Sequence, residues 1–209
     1  MTPLKIGACL KTSEIADHRD WLFDAARDIE LQDFMSHVAL TTGFDDRIAA
    51  AKTALDGHTG RLGIHGPFEG LDIDNKDSEL RPIITARFLK ALEAADRIGA
   101  RQMVDGFGSQ AIALSIDTGH AQLARRMSGA PPVADFITDA GAQLAHVHLQ
   151  DVDGHADRHW APGEGEIEWT AVFRALAACE SDPHLVLELR DNADIPKGFR
   201  ALSDLGVVI

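Results

Sequence analysis

Cysteine is scarce in this chain: Cys9 and Cys179 are the only two in 209 residues, and both sit inside apolar segments. A scaffold built on disulfides is excluded, and a reducing compartment is the expected setting. Basic residues are also short, with 20 Lys and Arg against 33 Asp and Glu and a formal charge of −13. Phosphate backbones and anionic lipid surfaces are bound by neutralising Lys and Arg, so nucleic acid and membrane are poor partners here. Small polar substrates and divalent cations suit the charge better. No stretch approaches the ~20 apolar residues of a membrane span. The opening MTPLKIGACL has no basic segment followed by a long apolar run, so the expected location is cytoplasmic. What is present, 45% hydrophobic and 25% charged residues, fits one domain, 1–209, with a sizeable core.

The chemistry gathers between His146 and Trp169, in HVHLQDVDGHADRHWAPGEGEIEW. Around it, hydrophobic periodicity predicts a strand at 5–10, a helix at 17–30 and a strand at 34–40. A helix at 45–55, a strand at 62–65 and a helix at 78–98 capped by Ser78 follow. Farther on come strands at 101–104 and 111–116, a helix at 132–140, a strand at 144–149, a helix at 169–179 and a strand at 185–189. Elements at 199–205 and 207–209 close the chain.

Strands rich in Ile, Val and Leu that alternate with amphipathic helices predict an α/β fold with a parallel sheet, and a TIM-type (β/α) barrel leads. In such barrels the working residues stand at the C-terminal ends of strands. His65 after LGI, Asp117 after LSI, His148 within HVHL and Glu188 in LVLEL all fall there. One spacing breaks the pattern. Only residues 105–110 separate the strands at 101–104 and 111–116, whereas a parallel crossover takes roughly a dozen or more. Complete barrels run to about 250 residues, so the barrel is expected to be incomplete or open, with about one to two β/α units missing between Val104 and Ala111. Open strand edges in turn predict a homodimer or marginal stability.

These segments resemble the xylose isomerase-like barrel superfamily, the sugar phosphate isomerase/epimerase group that also holds the apurinic-site endonuclease branch. IHGPF at 64–68 is similar to its third-strand element, SIDTGHA at 115–121 to its sixth, and HVHLQD at 146–151 to its seventh. DRHWAPGEGEIEW at 157–169 is similar to its Asp-x-His and Gly-x-Gly loop, and LVLELR at 185–190 to its eighth-strand Glu. The family's fourth-strand His and fifth-strand Glu have no counterpart here.

The resemblance implies a hard oxygen and nitrogen site for Mn, Mg, Co or Zn, held by Asp117, His148 and Glu188. The alternative for each is a local hydrogen bond that closes a strand end. Asp157 and His159 are either further metal ligands or loop groups, with Asp157 paired to Arg158 or Arg190. His120 contacts substrate, ligates a second metal or bonds backbone. His65 is a metal ligand, a substrate contact or a buried structural His, and Trp160 and Trp169 wall a sugar pocket or belong to the core. His146 is expected to point away from His148 into the core, and Asp151 to order the loop or orient His148. Pro162, Gly163 and Gly165 are expected to set backbone geometry.

The implied activity is a metal-dependent isomerisation or epimerisation of a small keto-sugar or sugar phosphate through an enediolate. Glu188 and His120 carry the acid–base chemistry, and His65, His120 and Trp160 bind substrate. The alternatives are a metal-dependent phosphoester hydrolase of the endonuclease type and a catalytically impaired barrel remnant.

Overall fold

The computed structural model describes residues 4–69, 71, 76–104 and 113–206. The first strand, β1 (Gly7–Leu10), is buried along its length, as its sequence GACL dictates. The chain forms two compact units. One spans Leu10–Ile112; the other joins the residues up to Cys9 to those from Ala113 onward.

In the Leu10–Ile112 unit, β2 (Ile29–Leu31), β3 (Leu62–His65) and β4 (Gln102–Val104) pair in parallel, with Leu31 opposite Ile64 and Ile64 opposite Met103. The helices are α1 (Arg19–Asp24), α2 (His37–Thr41), α3 (Phe44–Ala54) and α4 (Arg81–Ile98). Along α4 the buried Ile84, Phe88, Ala91, Ala95 and Ile98 alternate spacings of four and three, which puts them on one face. Burying Ile84, Phe88 and Ile98 contributes roughly 1.5–3 kcal/mol each.

Three expectations fail in this unit. The helix at 17–30 is a 3₁₀ turn, Thr12–His18, followed by the short α1, and Ile29 belongs to β2. The break has a cause: Ala26 takes φ +47°, and the buried Arg27 donates back to the Trp21 carbonyl at 3.0 Å. The expected strand at 34–40 is instead a turn and α2, because Ser36 Oγ accepts from Ala39 N at 3.2 Å and starts a helix. Ser78 is not the cap of α4; that position is Leu80, with no side-chain bond.

In the other unit the parallel order is β1, β7 (His184–Leu187), β6 (Leu144–Leu149) and β5 (Leu114–Asp117). Ala8 faces Leu187, His148 faces Val186, and Asp117 faces His148. Helices α5 (Thr118–Ser128), α6 (Val133–Ala140), α7 (Trp169–Ala178) and α8 (Ile195–Ser203) accompany them. The sequence reading missed α5, whose TGHAQLARRMS is polar on average and buries only small and polar residues, Thr118, Gly119, Ala121 and Gln122.

Seven parallel strands alternating with helices among the described residues form a TIM-type α/β fold, one strand short of the complete eight. The junction expected to have lost its units, and the closing element expected at 207–209, lie outside the described residues. No described helix is long and apolar enough to cross a membrane.

Candidate metal centre

Three adjacent strands, β5, β6 and β7, deliver one polar residue each to the same end. Asp117 closes β5, His148 is the penultimate residue of β6, and Glu188 directly follows β7. His148 Nδ1 lies 3.2 Å from Glu188 Oε2 and 3.8 Å from Asp117 Oδ2. Glu188 and His148 are buried and Asp117 nearly so, a costly place for two carboxylates unless cationic or hydrogen-bonding partners face them. Asp117 also caps α5, accepting from His120 N at 2.8 Å, which is the local hydrogen bond expected of a residue that closes a strand end.

A second group stands beside it. His120, in the first turn of α5, puts Nδ1 3.6 Å from Asp117 and Nε2 3.4 Å from Asp157 Oδ2. His159 Nε2 is 3.2 Å from Asp157 Oδ1, while its Nδ1 meets the Glu188 carbonyl at 3.1 Å. Burial works against the charged form of Asp157, but the Gln150 amide and the His159 and His120 imidazoles outweigh it and hold the carboxyl below its ordinary value. Asp157 thus pairs with imidazoles rather than with Arg158, which binds Asp153 at 2.8 Å. His159 adopts φ +51°, a left-handed conformation that costs a non-glycine residue roughly 1 kcal/mol or more.

The loop that carries Asp157 and His159 is folded around a buried carboxylate, Asp151. It accepts from Val152 N at 3.0 Å, Gly163 N at 2.8 Å, Ile167 N at 3.2 Å and Trp169 Nε1 at 2.8 Å. Trp160 pairs with Asp151 through both backbone bonds, at 2.8 and 3.0 Å. A Cβ on Gly165 would lie 2.3 Å from Asp151 Oδ1, so only glycine lets the backbone pass. Arg126 to Glu166 and Lys197 to Glu164 tie the outside of the same loop. Asp151 therefore orders the loop, and Trp169 is a buried, hydrogen-bonded member of that core rather than an open wall.

Other expected residues fall elsewhere. Trp160 is half-buried, with the Arg158 guanidinium 5.4 Å from its ring. His65 ends β3 in the Leu10–Ile112 unit, buried, with Nδ1 3.0 Å from the Gly66 carbonyl and its ring 5.1 Å from Phe68. His146 does not point away from His148: their ring centroids are 4.5 Å apart. Strand side chains repeat every two residues, so positions 146 and 148 share a face. His146 Nδ1 reaches Ser115 Oγ at 3.0 Å.

Sequence reasoning passed over Gln150. Its amide Nε2 donates to Asp117 at 3.1 Å and to Asp157 at 3.3 Å, joining the two groups.

The donors fit a divalent cation. Metal–ligand bonds of about 2.1 Å put neighbouring ligand atoms about 3.0–3.4 Å apart in octahedral and tetrahedral sites. Nearest carboxylate–imidazole separations of 3.2 Å in the first group, and 3.2 and 3.4 Å in the second, match that edge, while His148 to Asp117, at 3.8 Å, is longer than it. In each of these groups the ligand atoms all lie within 4.8 Å of one another.

Parallel strands whose ends carry carboxylates and imidazoles belong to a broad class of barrel proteins, and comparison with known proteins narrows it. The chain belongs to the xylose isomerase-like TIM barrel family, whose model matches residues 100–205. Fructoselysine 3-epimerase of Escherichia coli O157:H7 is 32% identical over 60 residues, which are 29% of this chain and 22% of that protein. The match thus spans under a quarter of the relative's length. A D-tagatose 3-epimerase-like protein of known structure aligns with TM-score 0.72 and 17% identity over 97% of each chain. The 3-keto-D-glucoside 4-epimerase of E. coli aligns with TM-score 0.65 and 15% identity, covering 97% of this chain and 99% of that one.

Proposed function

We propose that the chain is a divalent-metal-dependent isomerase or epimerase of a small keto-sugar or sugar phosphate, working through an enediolate. The observation that carries this reading is the convergence of Asp117, His148 and Glu188 from three strand ends, with their ligand atoms within 4.8 Å of one another. The similarity to proteins named as sugar epimerases supports it. These three residues would hold Mn, Mg, Co or Zn, with Asp157 and His159, joined by His120, as further ligands. A bound divalent cation supplies Lewis acidity to a carbonyl and its neighbouring hydroxyl.

Glu188 takes the proton from the carbon beside the carbonyl, leaving the electron pair on the enediolate, and His120 returns a proton to carbon. His120, whose side chain is 59% exposed, binds substrate oxygens. Trp160 supplies an apolar wall for the sugar ring.

The test is metal analysis of protein purified without chelators, combined with solvent-deuterium incorporation across a panel of keto-sugars and their phosphates. Glu188→Gln is expected to cut turnover about 10²–10⁴-fold; full activity in that variant overturns the assignment.

The second group, His120–Asp157–His159, favours one other reading, a metal-dependent phosphoester hydrolase. The charge of −13 argues against a nucleic-acid substrate, and metal-dependent incision of abasic DNA would reverse the ranking. Neither metal nor turnover in either assay would mark a catalytically impaired remnant.

We also propose that 1–209 is one barrel domain; the family match at 100–205 crosses the division between the two compact units. The same reading includes a homodimer, since β5 pairs with β6 alone among the described residues and leaves an open strand edge. A monomer by size-exclusion chromatography at micromolar concentration contradicts that part.

A further inference from the structure

Gln150 is neither an acid nor an imidazole, yet its side chain is fully buried against the acids and imidazoles of both groups. Nε2 lies 3.1 and 3.3 Å from the two oxygens of Asp117 and 3.3 Å from Asp157 Oδ1. Oε1 accepts the backbone N–H of His159 at 3.0 Å. These contacts fix which way the amide faces. Reversed, it would put an oxygen against two carboxylates and an N–H against an N–H.

The residue is held from behind as well. Gln150 N donates to Thr118 Oγ1 at 3.0 Å, and that hydroxyl reaches the Gln150 carbonyl at 2.7 Å. A Cβ on Gly119 would stand 2.5 Å from Cδ and Oε1 and 2.8 Å from Nε2. The first turn of α5 therefore clamps the amide in place, and glycine at 119 is the condition for its position.

We propose that Gln150 is a positioning residue that sets the loop-borne group, His120–Asp157–His159, against the strand-borne group, Asp117–His148–Glu188, so that the loop-borne group takes a divalent cation only while this amide is in place. The proposal rests on the metal reading above. Asp117 is fixed independently by β5 and by its cap on α5, whereas Asp157 and the left-handed His159 sit in a loop and share Gln150 as a common anchor. Losing the amide frees Asp157 from its donor and His159 N–H from its acceptor, while the strand ends stay where the sheet puts them. A glutamate could not substitute, because it would set a further carboxylate against Asp117 and Asp157.

Cobalt(II) titration of the full chain, followed by calorimetry and by the visible ligand-field spectrum, tests this. The wild type is expected to take up two equivalents. Gln150→Met, close in size and without the amide, is expected to keep the first within threefold and weaken the second at least tenfold, with loss of the second spectral component. Gly119→Ala, which removes no polar group but crowds the amide, is expected to give the same pattern and keeps the test alive if the Met variant fails to fold. Two unchanged equivalents in both variants overturn the inference and leave the metal reading intact. Equal weakening of both equivalents shows a merely structural residue and also overturns it, as does a wild type that binds one equivalent only. A wild type that binds no cobalt removes the metal reading itself, before any variant is made.

Discussion

The two candidate ligand groups differ in what carries them. Asp117, His148 and Glu188 stand at the ends of neighbouring parallel strands, where backbone pairing, Asp117 opposite His148 and His148 opposite Val186, sets their spacing. His120, Asp157 and His159 come from a helix turn and a loop, and their places depend on buried polar contacts: Asp151 inside the loop, Gln150 between the groups, and the Glu188 carbonyl under His159. The first arrangement follows from the fold. The second has to be specified side chain by side chain, and it includes a strained residue, His159 at φ +51°.

Substitutions can pull the two apart. Asp151→Ala should have the largest effect, because it strands four donors, one of them the Trp169 indole. A loss of about 3–5 kcal/mol is expected, read as a large fall in melting temperature. If stability hardly changes, the loop does not depend on that carboxylate.

Next, His148→Ala should lower cation affinity at the strand-borne group by more than about 100-fold, since even an outer partner of a ligand is worth 10–100-fold. His159→Ala should spare that group and weaken only the loop-borne one. Equal effects in calorimetric titrations would erase the distinction between the groups.

The smallest effect belongs to the loop's outer rim. Arg158, with the backbone N–H groups of His155 and Ala156, pulls the Asp153 carboxyl from its ordinary 3.8 down to about 2. A depressed carboxyl stabilises the fold above its ordinary value and loses that contribution as pH falls through the folded one. Melting curves of Asp153→Asn should therefore differ slightly from wild type above about pH 4 and merge with it near pH 2. A difference that grows on acidification would contradict the sign.

The same contrast governs what could be read from the sequence. Asp117, His148 and Glu188 were legible because a polar residue closing an apolar strand stands out, and parallel strands bring such residues to one end. Asp157 and His159 were legible only as a familiar spacing. Their partners were not: Arg158 turns to Asp153, and Asp157 turns to imidazoles. Gln150 was invisible, because its burial depends on a glycine 31 positions earlier in the chain and on a helix, α5, whose buried face is made of small and polar residues. The helix expected at 17–30 failed for the opposite reason. Its apolar spacing was good, but spacing does not register the turn at Ala26 that the buried Arg27 holds.

Asp117 has a consequence for descent. Its carboxylate starts α5 as well as facing His148, and asparagine caps a helix about as well as aspartate does. A lineage that gave up its chemistry would still gain about 1 kcal/mol by keeping either residue at this position. Drift from Asp to Asn at 117 would thus record the loss of an activity without the loss of the fold, a signature that Asp157, which caps no helix, could not leave.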